Sequence, residues 1–287
     1  MAGMWFKLIS GMRRWFLALA LTLAVAGALP LRAQTSGALQ PPDGTMAPGS
    51  NNSVMARAME EFKAKDYAAA LKSFRLLADA GNVEAMMYIA LMNAAGKLGP
   101  VNYWEALAWF RKAAATGDDT AMCNIGILYF QGLGVPQRYE EARKWFENSA
   151  SAGNTQAMFN LGVMSRDGLG VQQDYGDAIK WFRKAAEADN ALAINSMGVM
   201  YQKGQGVPAD YDAALKWYRR AAELGNGAAM SNIGVLYQEG LGVKADQAEA
   251  AKWFAKATGA GGETNNGLQG VPPSADRGAR PADATGP

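Results

Sequence analysis

The chain has 287 residues, with 28 Lys+Arg against 26 Asp+Glu, one Cys and no His. Without His there is no Ser-His-Asp or Cys-His catalysis and no His-ligated zinc or iron. The single Cys123 builds neither an intramolecular disulfide nor a metal–thiolate site.

Lys7, Arg13 and Arg14 precede an uncharged apolar run from Trp15 to Leu29, which Pro30 and Arg32 end. Fifteen residues of helix rise only about 22 Å, short of the roughly 30 Å hydrocarbon core of a bilayer. This order of charge, short apolar run and small residues predicts a secretory signal peptide over residues 1–33, cleaved after Ala28 or Ala33. An uncleaved anchor is the alternative. Arg13-Arg14-Trp15-Phe16-Leu17 leaves a twin-arginine route open beside the general one. Removing residues 1–33 takes away four cations (Lys7, Arg13, Arg14, Arg32) and no anion, so the net charge falls from +2 to −2. The mature chain, expected to be periplasmic or secreted, then has no electrostatic reason to bind nucleic acid and no membrane span.

Residues 34–52 hold three Gly and three Pro with no apolar periodicity, which predicts a disordered linker. Residues 53–82, with Phe62, Asp66-Tyr67, Ala70 and Phe74, read as a short helical hairpin.

The chain then repeats itself. Trp109, Trp145, Trp181, Trp217 and Trp253 lie 36 residues apart, each followed by Phe or Tyr. Gly132-Leu133-Gly134-Val135 recurs at the same interval at Gly168, Gly204 and Gly240, and Asn124-Ile125-Gly126 recurs as Asn160-Leu161-Gly162, Ser196-Met197-Gly198 and Asn232-Ile233-Gly234. Such periodicity without insertions predicts an all-α solenoid. The units are 83–118, 119–154, 155–190, 191–226 and 227–258. Within 119–154, Ala121, Ile125, Leu128 and Tyr129 form the stripe of a first helix, which Gly132, Gly134 and Pro136 end. Tyr139, Ala142, Phe146, Ser149 and Ala150 form the stripe of a second. Gly126, Gly162, Gly198 and Gly234 stand inside the first helices, each at a cost of about 1 kcal/mol relative to Ala. A neighbouring helix passing too close for a side chain explains them, with Ala106, Ala142, Ala178, Ala214 and Ala250 as the matching small residues. The Trp-aromatic pairs are expected in the core. Residues 259–287, with seven Gly and four Pro, predict a disordered tail, and the Trp253 helix is expected to leave an apolar edge open.

Asn-Ile-Gly-x-x-Tyr, Gly-Leu-Gly-Val-Pro, Tyr-x-x-Ala-x-x-Trp-Phe-x-x-Ala-Ala and Gly-Asn together resemble the Sel-one-like repeat, a 36-residue relative of the tetratricopeptide repeat. The resemblance covers roughly residues 83–258. It implies a right-handed superhelix of helix–turn–helix units, with 53–82 as a tetratricopeptide-like opening repeat that covers the first apolar edge. The first full unit departs from the pattern: Ala90 replaces Gly, Asn93 replaces Tyr, and Gly96-Lys97-Leu98-Gly99-Pro100 reshapes the loop.

Nothing in the motifs points to catalysis or a cofactor. The Gly-x-Gly-Val loops follow helices rather than strands and lack the third Gly of a dinucleotide fingerprint. Asp118-Asp119 and Glu140-Glu141 sit at helix starts, where they complement the dipole. Cys123 lies among apolar neighbours and reads as an inert buried thiol. The resemblance implies that first helices line a concave groove, in which Asn124, Asn160 and Asn232 (Ser196 in the remaining unit) bond the backbone of an extended peptide. The alternative is that these amides tie neighbouring repeats together. Phe130, Arg166, Gln202 and Gln238 occupy one varying position and Gln131, Asp167, Lys203 and Glu239 another, so Phe130, Arg166 and Lys203 join the candidate ligand-binding residues. The expectation is an exported, non-catalytic adaptor for a protein or peptide. A periplasmic regulator of a membrane sensor and an envelope-assembly accessory factor are the alternatives, and a carboxylate-based hydrolase is disfavoured.

Overall fold

The computed structural model describes residues 48–260. The expected signal peptide, linker residues 34–47 and tail residues 261–287 lie outside the described residues. Among those described there are twelve helices and no strand. An opening pair, α1 (Pro48–Lys63) and α2 (Tyr67–Asp79), precedes five repeated pairs. These are α3 (Val83–Ala94) with α4 (Tyr103–Ala114), α5 (Asp119–Gln131) with α6 (Tyr139–Ser151), and α7 (Thr155–Asp167) with α8 (Tyr175–Glu187). Then come α9 (Ala191–Lys203) with α10 (Tyr211–Glu223), and α11 (Gly227–Glu239) with α12 (Gln247–Gly259).

Each helix packs on its predecessor and successor in the chain, giving an all-α repeat solenoid. The first helices α7 and α9 also approach one another directly, to within 8 Å between Cα atoms. Between second helices of adjacent units, Arg220 Nη2 donates to Ala186 O at 2.6 Å. On the approach of α7 to α9 we take the first helices as the inner layer.

Two expectations about the ends are corrected. Residues 48–52, read as linker, are helical, since α1 begins at Pro48. Proline suits the first helical position because its missing N–H has no intrahelical acceptor there. The expected tail, 259–287, likewise begins one residue too early, because α12 includes Gly259.

Helix boundaries follow from capping. Asn82, Asp118, Asn154, Asn190 and Asn226 start the first helices, each side chain accepting from the N–H three residues on. Asp66, Asn102, Asp174, Asp210 and Asp246 do the same for second helices. Arg138, before α6, makes no side-chain cap. First helices α5, α7, α9 and α11 end on Gly132, Gly168, Gly204 and Gly240, all left-handed (φ 65° to 72°), a conformation that penalises a Cβ. The second loop glycine is needed for space as well. A Cβ on Gly134 would lie 2.7 Å from the carbonyl carbon of Tyr103, and Gly170, Gly206 and Gly242 stand equally close to Tyr139, Tyr175 and Tyr211. Each loop thus rests on the first residue of the preceding unit's second helix.

The glycines inside the first helices have a different partner from the one expected. A Cβ on Gly126, Gly162 or Gly198 would come within 2.5–2.6 Å of the ring of Phe146, Phe182 or Tyr218. Gly234 faces Phe254 in the same way, at 2.7 Å. The notch receives the aromatic of the unit's own second helix, rather than a backbone passing over Ala142 and its counterparts. In the first four repeats the residue after Trp is accordingly the deeper one: Phe110, Phe146, Phe182 and Tyr218 are fully buried. Trp109 is buried, but Trp145, Trp181, Trp217 and Trp253 are only partly so.

The last described unit departs from the pattern of the others. Leu107, Ile179 and Leu215 are buried at one second-helix position and Ala114, Ala150, Ala186 and Ala222 at another. In α12 these become exposed Ala251 and Thr258, and the leading Tyr of the other second helices becomes Gln247. No large, strongly exposed apolar side chain lies on α12, so the open apolar edge expected there is corrected to a half-covered one, with Trp253 and Phe254 partly exposed.

Candidate functional site

The inner layer is where the sequence placed a peptide-binding ladder. The structure closes most of it. Asn124 is buried and its Nδ2 donates to Thr120 O at 3.0 Å, one turn back in its own helix. Asn160 is fully buried. Its Oδ1 accepts from Gln156 Nε2 at 3.3 Å, while its Nδ2 has no acceptor among the described residues. Ser196 bonds back to Leu192 O at 2.9 Å. Only Asn232, partly exposed, reaches another unit, donating from Nδ2 to Asn195 Oδ1 at 3.0 Å. Asn124 and Asn160 therefore do not project into open space. Their amides serve their own helices, and Asn232 ties two repeats.

The varying positions divide similarly. Phe130 is buried, its ring 5.1 Å edge-on from Tyr139, so it is a core residue. Arg166 is partly exposed and spread over its neighbour, with Nε and Nη2 each 2.9 Å from the Asp167 carboxylate. Lys203 is exposed. Beside it Gln202 accepts from the hydroxyl of Tyr218, whose ring fills the Gly198 notch and whose ionisation burial pushes up. One inner position missed from sequence varies just as freely: Glu84, Thr120, Gln156, Leu192 and Ala228 stand at equivalent places near the helix starts, none of them buried. Its signal was present in the 36-residue alignment, but without the landmark residues around it to draw attention.

A polar group missed from sequence joins the units 119–154 and 155–190. Where the other units from 119 onward carry Tyr129, Tyr201 and Tyr237, the third has Ser165, which is buried. Ser165 Oγ donates to Asp177 Oδ2 at 2.6 Å and accepts from Arg143 Nη1 at 3.2 Å, and Arg143 Nε reaches Glu147 at 2.8 Å. A guanidinium thus donates to the hydroxyl that stands where those units carry a ring. Every charge in the group is paired, so it is a joint rather than a reactive centre.

No catalytic constellation appears among the described residues, and no group of three or more His, Cys, Asp or Glu could hold a metal. Cys123 is buried, and burial, reinforced by the nearby Asp119 charge, pushes its thiol up to about 12. It is unreactive at neutral pH. No described helix is long and apolar enough to cross a membrane.

No curated protein matches the chain. Among solved structures, a protective antigen of uropathogenic Escherichia coli displaying an SLR fold is 28% identical with a TM-score of 0.63; the match covers 76% of this chain and 47% of that one. A Sel1 repeat protein from Oxalobacter formigenes is 29% identical with a TM-score of 0.62, covering 71% of this chain and 84% of that one. An immunity protein from Pseudomonas aeruginosa, 15% identical with a TM-score of 0.51 and covering 77% and 86%, shares the fold alone. Proteins built of these repeats generally act as protein–protein interaction scaffolds, typically without catalysis. The Sel1 repeat matches residues 83–118, 119–154, 155–190, 191–226 and 227–262, more than half of the sequence, and the chain belongs to the Sel1 repeat family.

Proposed function

We propose that the mature protein is an exported, non-catalytic scaffold that holds a protein partner, or an extended segment of one, against its inner layer of first helices. The observation that carries this is chemical variation at fixed backbone positions. Thr120, Gln156, Leu192 and Ala228, and Gln131, Asp167, Lys203 and Glu239, differ at places whose surrounding glycines and caps repeat almost unchanged. Packing does not dictate those side chains, so recognition is free to. Export rests on the charge and apolar order of residues 1–33.

Photo-crosslinking residues placed at Gln156 and Lys203 in cells test the reading. Both should capture the same protein, and the pair Arg166→Ala with Lys203→Glu should weaken that protein's binding at least tenfold without changing the helical circular dichroism. Absence of any shared product, or full affinity in the double variant, refutes the inner surface. N-terminal sequencing of the exported chain should begin at Leu29 or Gln34. Intact Met1 in a membrane fraction refutes cleavage.

A further inference from the structure

The outer face of the second helices carries a charge pattern that the fold does not require. The middle turns of α8 hold Lys180, Arg183 and Lys184, and the same three positions of α10 hold Lys216, Arg219 and Arg220. The equivalents in α6 are Lys144, paired with Glu141 at 3.7 Å, then Glu147 and uncharged Asn148. The first of these positions holds Ala108 in α4, and the second holds Glu147 in α6 and Ala255 in α12, so packing does not select a cation at either; the third carries a cation over the repeat's Trp in α4, α8, α10 and α12.

Lys180, Arg183, Lys184 and Lys216 are exposed, and none has an ion-pair partner among the described residues. Arg219 donates only to the neutral hydroxyl of Tyr237, at 3.1 Å. The nearby carboxylates are largely engaged elsewhere: Asp177 by Ser165 and Arg143, and Asp189 by Arg220 at 2.8 Å. Glu187 and Glu223 lie in the last turns of the two helices, and Asp212 in the first turn of α10. Arg220 also donates to Ala186 O, at the end of α8, so the two basic turns are stitched side by side. Lys184 sits 4.7 Å over the Trp181 ring and the Arg220 guanidinium 6.0 Å over that of Trp217, an attraction that orders cations before any ligand arrives. The row continues on α12, where Lys256 stacks 4.3 Å over Trp253.

We infer that this outer row across α8 and α10 is a second docking surface, which takes an acidic extended segment of a partner protein lying along the solenoid axis. Charge complementarity selects the ligand: a line of six cations on successive repeats, five of them without an ion pair among the described residues, matches a line of carboxylates better than a small anion. The chain does not supply that segment itself. Residues 261–287 carry Glu263, Asp276 and Asp283 against Arg277 and Arg280, and residues 34–47 carry Asp43 alone. The attraction is local, since the chain without residues 1–33 is net negative. The inference is independent of the inner surface proposed above.

The test uses the chain from residue 34 onward and a fluorescein-labelled decaglutamate peptide, read by anisotropy. Binding is expected at 50 mM salt and should weaken at least tenfold by 300 mM. Lys180→Glu with Arg183→Glu and Lys216→Glu should abolish it. The milder Lys180→Gln with Lys216→Gln should weaken it at least threefold, and covers the event that the triple variant misfolds. Arg166→Ala with Lys203→Glu should leave it unchanged, which separates this surface from the inner one. No binding by the wild-type chain, or full binding by a folded triple variant, overturns the inference. So does tighter binding of a single-stranded DNA decamer, or of vesicles with 30% anionic lipid, than of the peptide.

Discussion

Replacing Gly162 by Ala sets two effects of known sign against each other. Helix propensity alone favours Ala over Gly by about 1 kcal/mol in a helix interior. The added Cβ, however, would lie 2.5 Å from both Cδ1 and Cε1 of Phe182, against roughly 3.5–4 Å for ordinary carbon contact. The ring must retreat by about 1 Å to reach that separation. It has no room to do so, being fully buried with Phe159 5.9 Å away on the same helix pair. Overpacking of this kind costs about 1–3 kcal/mol, and a rigid, enclosed ring belongs at the upper end. The net expectation is a loss of about 1–2 kcal/mol, or about 2–8 °C in melting temperature for a domain of this size. Thermal and urea melts followed by circular dichroism at 222 nm measure it. The companion variant Phe182→Leu should lose stability alone, yet the double variant should be more stable than the two losses added, by about 1 kcal/mol or more. A Gly162→Ala protein melting at or above wild type, or strict additivity with Phe182→Leu, would show that the ring is not wedged into the notch.

Other outcomes follow from single residues that break the repeat. Arg138 is the one described second-helix start from α2 onward without a capping side chain, so Arg138→Asp should gain about 1 kcal/mol in the same melts, and an unchanged midpoint would count against the capping account. Asp189 holds φ 54° where the other units have Gly81, Gly117, Gly153 and Gly225. Asp189→Gly should therefore gain about 0.5–1 kcal/mol after loss of the exposed Arg220 pair, whereas Asp189→Ala, losing the pair and keeping the strain, should be less stable than wild type. The thiol of Cys123 should resist a disulfide reagent at pH 8 in the folded protein and react at once in 6 M urea. Because folding raises its pKa from 9.0 to about 12, its contribution is constant below pH 9 and is lost between pH 9 and 12, as the unfolded state ionises first. Cys123→Ala should make that alkaline fall shallower by up to about 1.4 kcal/mol per pH unit, and an identical slope would refute the assignment.

The repeat length, the helix pairs and the two loop glycines were all legible because each is a local or strictly periodic signal. Gly132 ends a helix by its own conformation, wherever the chain goes next. What failed to show was which side chain reaches across. Spacing puts Trp145 and Phe146 next to each other with similar hydropathy, but only the packed structure makes Phe146 the ring that enters the Gly126 notch and leaves Trp145 partly outside. The Asn positions illustrate the same limit. Their helix face follows from periodicity, while the burial of Asn124 and Asn160 and the partial exposure of Asn232 depend on the neighbouring units around each of them. Pro48 carried a signal that composition concealed: proline fits a helix start as well as a linker.

The seat that each loop finds on the unit before it also gives the array a direction. Gly134, Gly170, Gly206 and Gly242 settle against Tyr103, Tyr139, Tyr175 and Tyr211, so every internal unit offers its successor the same landing place. Any of them can be duplicated or deleted by unequal recombination, with the next unit meeting a tyrosine as before. On α12 the seat is different: a unit placed after it would meet Gln247 and the shortened Ala251. Duplication or deletion should therefore be tolerated better among the units before α12 than directly behind it, as in a rail whose sections share one joint except at a differently cut piece.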